Sequence, residues 1–187
     1  MPWPTTDEER QILDLEIRSV LENAFVRAAY LEPPATHVAE PAADAEFDVA
    51  GVGLELTASD GSVFSTVWQM EGYNEGLSFG PGDGESRHWR DELRRRDVTD
   101  LPQWQPFLGI QITDVHVGWH VPNEGCPEAV WAIRLEFEGG RNLLVALGHA
   151  DGAGGIKYLP DQVVIVFDQQ LVQSYQIPAQ TRSVWAT

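Results

Sequence analysis

Hydrophobic positions along the chain follow two rhythms. From residue 7 to residue 31, Ile12, Leu13, Ile17, Val20, Leu21, Ala24, Ala28 and Leu31 recur at three- and four-residue steps, the spacing of one apolar stripe on a helix. Thr6 and Glu9 stand at capping-box spacing, and Asp7, Glu8 and Glu9 suit the positive end of a helix dipole. Asp14 and Arg18 lie one turn apart in the favourable order. Pro33-Pro34 cannot continue a helix, because proline lacks the amide proton and restricts the residue before it. The pattern therefore predicts a long helix over 7–31, followed by an Ala/Pro/Glu-rich linker over 33–46.

From Val49 the rhythm shortens to two. Leu54, Leu56 and Ala58 alternate with Glu55 and Thr57 before Asp60-Gly61, a hairpin signal. A two-residue loop there puts Val63 and Val67 on the Leu54/Leu56/Ala58 face, with Phe64, Thr66 and Trp68 on the other. The glycine-rich stretch 76–84 has little regular character beyond Leu77 to Phe79. Residues 86–96 read as a short helix: Ser86 can cap it, and Asp91/Arg95 and Glu92/Arg96 are spaced for ion pairs. Residues 101–108 hold two prolines, Trp104 and Phe107, which predicts an irregular segment pinned by its aromatics.

The stretch 111–121 changes phase. Ile110 and Ile112 share one parity, whereas Val115, Val117, Trp119 and Val121 share the other. One regular strand cannot bury both sets on a single face, so a bulge is expected near Thr113-Asp114. Trp131, Ile133, Leu135 and Phe137 then alternate cleanly with Ala132, Arg134, Glu136 and Glu138. Burying one common face with Leu143, Val145 and Leu147 favours a three-residue loop, Gly139-Gly140-Arg141. Residues 148–155 form a second glycine-rich loop. Val163 to Phe167 is apolar on both faces, as in a covered central strand. Leu171 to Ile177 is read as an edge strand, with a loose end from Pro178.

These elements give an α+β fold: a mostly antiparallel sheet of six to eight strands, with the long N-terminal helix packed on one face. The chain is expected to be a single domain over 1–187, with its β-rich body over 49–177. Its 187 residues are enough to bury a core without a metal or disulfide staple.

Composition narrows the function classes. The formal charge of −17 repels nucleic acid and anionic membrane and attracts a basic protein or a cation. No apolar run is long enough to cross a bilayer, and the N-terminus has no signal-peptide pattern. One cysteine, Cys126, cannot form an internal disulfide, which fits a reducing compartment and points to the cytoplasm. The run from Gly155 to Asp161, leading into Val163 to Asp168, resembles segments of small bacterial proteins and covers too little of the chain to carry a function over.

The candidate chemistry lies in four places. On an extended strand Asp114, His116, Gly118 and His120 share a face, so His116, His120 and Asp114 are candidate catalytic groups. His116 and His120, with His149 and Asp151 from elsewhere, are candidate metal ligands. The spacing does not support a divalent metal held by both histidines, since residues four apart on a strand are separated by roughly 13 Å; no cofactor is expected. The basic cluster Arg87 to Arg96 offers Arg90 and Arg94 for an acidic partner or anion, set against a solvated element pairing with its own acids. Trp3, Trp104 and Trp185 fall outside clear periodic elements and are candidate partner-binding aromatics, although core burial is the commoner fate of tryptophan. The loop His149 to Gly155 lacks both the dinucleotide spacing and the P-loop lysine.

No nucleophile elbow, HExxH, CxxC or EF-hand pattern occurs. The expectation leans away from an enzyme, toward an acidic, immunity- or adaptor-like module of the bacterial cytoplasm that binds a basic protein. An enzyme or metal site on the 111–121 strand is the alternative. A small-ligand or carbohydrate binder using loop tryptophans is a third.

Overall fold

The computed structural model describes residues 3–34, 46–81, 93–150, 156–157 and 162–175. In chain order the elements are α1 (Asp7–Arg18), β1 (Phe25–Glu32), β2 (Phe47–Val49), β3 (Gly53–Ala58), β4 (Val63–Glu71), β5 (Asn74–Pro81) and β6 (Arg94–Asp97). There follow β7 (Ile112–His120), β8 (Ala129–Phe137), β9 (Arg141–Leu147), β10 (His149–Ala150), β11 (Ile156–Lys157), β12 (Val163–Val166) and α2 (Gln169–Ser174). The described residues are thus mostly β, with two helices.

Two antiparallel five-stranded sheets carry the fold, in the orders β5-β4-β3-β1-β6 and β2-β12-β9-β8-β7, and β10 and β11 form a separate pair. The two large sheets pack face to face: Leu54, Leu56, Phe64 and Phe79 of one meet Ile133, Leu135 and Val145 of the other. One contiguous apolar core joins them. Helix α1 packs on β5 and β7, an edge strand of each sheet, and so closes one open side of the sandwich. Among the described residues no helix is long and apolar enough to cross a membrane.

The helix begins as its sequence dictates and ends early. Thr6 and Glu9 form the complete capping box, and Arg18 Nε donates to Asp14 at 2.7 Å. Helix geometry stops at Ser19, whose hydroxyl donates back to the Glu16 carbonyl at 2.6 Å. Glu22 then adopts φ +67°, which no right-handed helix can accommodate. The expected helix over 7–31 is therefore a helix of 12 residues followed by strand β1. Ala28 and Tyr30 are buried on that strand, so the three- and four-residue spacing of the stripe was satisfied by two different elements.

Several registers differ from expectation for identifiable reasons. The β3–β4 loop has three residues, Ser59-Asp60-Gly61, closed by an Ala58 amide to Ser62 carbonyl bond of 2.8 Å. Gly61 sits at φ +88°, the left-handed position that a three-residue hairpin places after its turn. Leu56 consequently faces Phe64, and Leu54 faces Thr66, so Phe64 and Thr66 take the core positions assigned to Val63 and Val67. The β8–β9 loop also has three residues, but it is Glu138-Gly139-Gly140, one residue earlier than expected, and it sets Leu135 against Leu143 and Ile133 against Val145. The common apolar face is kept. Of the glycine-rich stretch 76–84, residues up to 81 pair with β4 as β5, and residues 82–84 lie outside the described residues.

Two helix and strand assignments are corrected. Residues 94–97, the end of the expected 86–96 helix, form edge strand β6 on β1; residues 86–92 lie outside the described residues. Residues 169–174 form α2 rather than an edge strand, because the Asp168 carboxylate accepts from the Gln170 and Leu171 amides, both at 2.9 Å. Strand β12 lies between β2 and β9 and is buried along its length, the covered central strand its composition implies. Most of the expected linker, residues 35–45, is outside the described residues.

Candidate functional site

The bulge expected near Thr113-Asp114 lies between Ile112 and Asp114. It keeps Ile112, Val115 and Val117 opposite Phe137, Leu135 and Ile133 on the core side, and it sends Asp114 and His116 to the outer side. There Asp114 lies opposite Glu136, and His116 opposite Arg134. His116 Nε2 is 3.3 Å from Asp114 Oδ2 and 3.8 Å from Glu136 Oε2. Arg18 of α1 reaches the same corner: its Nη1 is 3.7 Å from Asp114 Oδ1 and donates to the Val115 carbonyl at 2.9 Å. Burial pushes the Arg134 guanidinium down from its ordinary value, while Glu136 and Asp114 pull the other way.

His120 does not join this group. A second bulge, between Gly118 and Trp119, reverses the phase, so His120 pairs with Ala129 and shares the core side with Trp131. Its ring meets the Trp131 ring edge-on at 4.8 Å. The expected His116/His120 face therefore fails, because the two rings lie on opposite faces of the sheet. The alternation at residues 118–119 carries no polar signal that would reveal that bulge.

Burial holds the His120 imidazole below its ordinary pKa of 6.5. The unfolded chain then binds the proton more readily than the folded one, so stability is full above about pH 6.5 and falls as pH drops toward the depressed folded value. In thermal unfolding at pH 7.5 and 5.5, His120→Gln should lose a smaller midpoint than the parent chain. Equal losses in both proteins would contradict this environment for His120.

The remaining candidates separate. His149 is half-buried on β10, and Asp151, Arg90 and Trp185 lie outside the described residues. Trp3 and Trp104 are buried, at 6% and 1% exposure, and so are not surface anchors. Trp104 Nε1 donates to the Tyr30 hydroxyl at 3.1 Å, and that hydroxyl bonds Asp48 at 2.5 Å, where Gln103 also donates at 3.0 Å. Sequence reading missed this buried network, whose bonded partners are 18 to 74 residues apart in the chain. Burial, with the Asp48 charge second, pushes the Tyr30 phenol up from its ordinary value. Trp3 also lines a mainly apolar groove of about 640 Å³ with Pro33, Val67, Trp68 and Met70.

The described members of the basic cluster, Arg94, Arg95 and Arg96, are spent within the fold. Arg94 and Arg96 both form ion pairs with the fully buried Glu32, Arg96 through Nε at 2.7 Å, and Arg95 pairs with Glu55 at 3.2 Å. Arg27 pairs with Asp97 at 2.8 Å, and Arg10 with Glu128. Arg94 is therefore a strut between β1 and β6 rather than a clamp for a partner.

One further surface is notable for what it exposes. On α1, Ile12 and Leu15 are 51% and 68% exposed, with Glu8 and Glu16 one turn either side of Ile12. The Arg10–Glu128 pair joins this helix to the loop 121–128. Asn123 and Cys126 of that loop donate to the Tyr73 carbonyl in the β4–β5 turn. Tyr73 and Val121 are 83% and 45% exposed. Asp7, Glu8, Glu16, Glu71 and Glu124, on or next to the same segments, are exposed, and among the described residues none has an ion-pair partner. The periodicity hid this edge by assigning Ile12 to the core stripe. No family model matches the chain, and no curated protein or solved structure matches it.

Proposed function

We propose that this chain is a non-catalytic, acidic binding module for a basic protein, of the immunity or adaptor type, working in the bacterial cytoplasm. The observation that carries the reading is the edge formed by α1, the β4–β5 turn and the loop 121–128. On these segments Ile12, Leu15, Tyr73 and Val121 stand exposed, and the same segments carry exposed carboxylates, Asp7, Glu8, Glu16 and Glu124, without an ion-pair partner among the described residues. Apolar and aromatic anchors within a charged rim are how protein interfaces divide affinity from steering. The internal pairing of Arg10, Arg27, Arg94, Arg95 and Arg96 supports the same reading, because it leaves the acid excess of −17 for the surface. The lone Cys126 fits a reducing compartment.

Two changes follow for the partner chemistry. The anchors are Leu15 and Tyr73 rather than Trp3 and Trp104. The acceptor patch on the partner should carry lysine or arginine around an apolar centre. The test is capture from the native lysate by the parent chain, by Leu15→Lys and by the distant control Val26→Lys, washed across a salt series. A basic protein should be held in stoichiometric amount, released as salt rises, and lost by about tenfold or more in Leu15→Lys alone. Capture that ignores salt, or that survives Leu15→Lys unchanged, would oppose the proposal.

A further inference from the structure

The geometry points to a divalent-cation site of the zinc class at Asp114, His116 and Glu136, on the outer face of β7 and β8. This inference does not rest on the protein-binding reading. One donor atom from each of the three residues lies within 4.8 Å of the other two. Ligand bonds of about 2.1 Å at tetrahedral angles place donors about 3.4 Å apart. Two of the contacts, 3.3 Å and 3.8 Å from His116 Nε2, are already near that value. All three residues are only half-buried, so small rotations of the side chains suffice to gather them.

Second contacts orient the ligands. Asp114 uses Oδ1 to accept from the Val115 amide at 2.7 Å and to face Arg18, which leaves Oδ2 as the oxygen turned toward His116. Outer contacts of this kind fix which atom of a ligand is presented to a metal. Asp114 and Glu136 are direct cross-strand neighbours, an arrangement that repels when both are ionised and that a dication would relieve. One imidazole nitrogen and two carboxylate oxygens suit zinc, manganese or cobalt better than calcium, which takes six to eight oxygens, or copper(I), which prefers sulfur. Three protein ligands leave a coordination position for water. Arg18 and Arg134 offset the two carboxylates, so micromolar rather than nanomolar affinity is expected.

The test titrates zinc, with cobalt as a coloured probe, into the full-length, tag-free, chelator-treated chain. One equivalent should bind with micromolar affinity, and cobalt should give visible absorption with an imidazole in its first coordination sphere. His116→Ala and Glu136→Gln should each weaken binding tenfold or more, whereas His120→Ala, on the opposite face, should leave it unchanged. Circular dichroism of each variant confirms that it folds, and Glu136→Gln keeps the size of the side chain. Absence of zinc and cobalt binding at 1 mM (about a thousandfold above the expected range) would overturn the site. So would affinity that is equal in the parent, His116→Ala and Glu136→Gln. Leu15→Lys should bind zinc like the parent, which separates failure of this site from failure of the docking edge.

Discussion

Replacing Glu32 by alanine should destabilise the chain by about 3 kcal/mol or more. Glu32 ends β1 with 0% exposure; its Oε2 accepts from Arg94 of β6, and its Oε1 forms an ion pair with Arg96 of the same strand, 2.7 Å from Nε. The side chains of these arginines are 55% and 15% exposed, so they respond differently to the loss. Arg94 can turn to water, whereas Arg96 stays largely buried without its counter-charge, and an uncompensated buried charge is the expensive outcome. Arg94→Ala should therefore cost less, because Arg94 is half exposed and Glu32 keeps the Arg96 charge at its other oxygen. Denaturant unfolding of the two variants checks the contrast. A Glu32→Ala cost no larger than that of Arg94→Ala would contradict the assignment of Glu32 as the hub of the β1–β6 edge.

Trp104→Ala should cost about 4 kcal/mol, within the range for emptying a buried aromatic site. The indole meets the Phe167 ring edge-on at 5.3 Å and the tilted Tyr30 ring at 6.3 Å, and its N–H bonds the Tyr30 hydroxyl. Trp104→Phe retains most of the packing and loses the donor, so it should cost about half as much. Partner capture by Trp104→Phe should equal that of the parent, because the residue lies inside the fold. A Trp104→Ala cost below about 1 kcal/mol would be the signature of an exposed aromatic, and would contradict its burial.

How far the sequence spoke can be traced residue by residue. Thr6 with Glu9 declared the start of α1, and the parity break at Ile112/Val115 declared the first bulge of β7, since both signals are local. The end of α1 was ambiguous, because Val20, Leu21, Ala24 and Ala28 satisfy a helical period while the last of them belongs to a strand. The connection over residues 19–24, with Glu22 in the left-handed region, separates the two elements. Arg95 and Arg96 are spaced for helical pairing with Asp91 and Glu92, yet they reach Glu55 and Glu32 across strands. Such a choice is decided by tertiary contact rather than by spacing. Asp168 was a legible helix cap ahead of Gln169–Ser174 and outweighs the apolar Leu171 and Val172.

The candidate sites were legible by halves. Asp114 and His116 share a strand, so alternation alone put them on one face. Glu136 comes from β8, and nothing short of the β7–β8 register could name it. Leu15 and Tyr73 meet the same edge from 58 residues apart in the chain, through the loop that carries Cys126. The acidic balance pointed to a basic partner, but the residues that would meet it depend on which side of the sandwich α1 closes.

Hydrogen–deuterium exchange of the chain, alone and saturated with its captured basic partner, tests the docking edge most directly. The account predicts slowed exchange at residues 12–18 of α1, at the β4–β5 turn and over 121–128, with α2 unchanged. Protection confined to α2 and the outer face of β9, with none on α1, would contradict it.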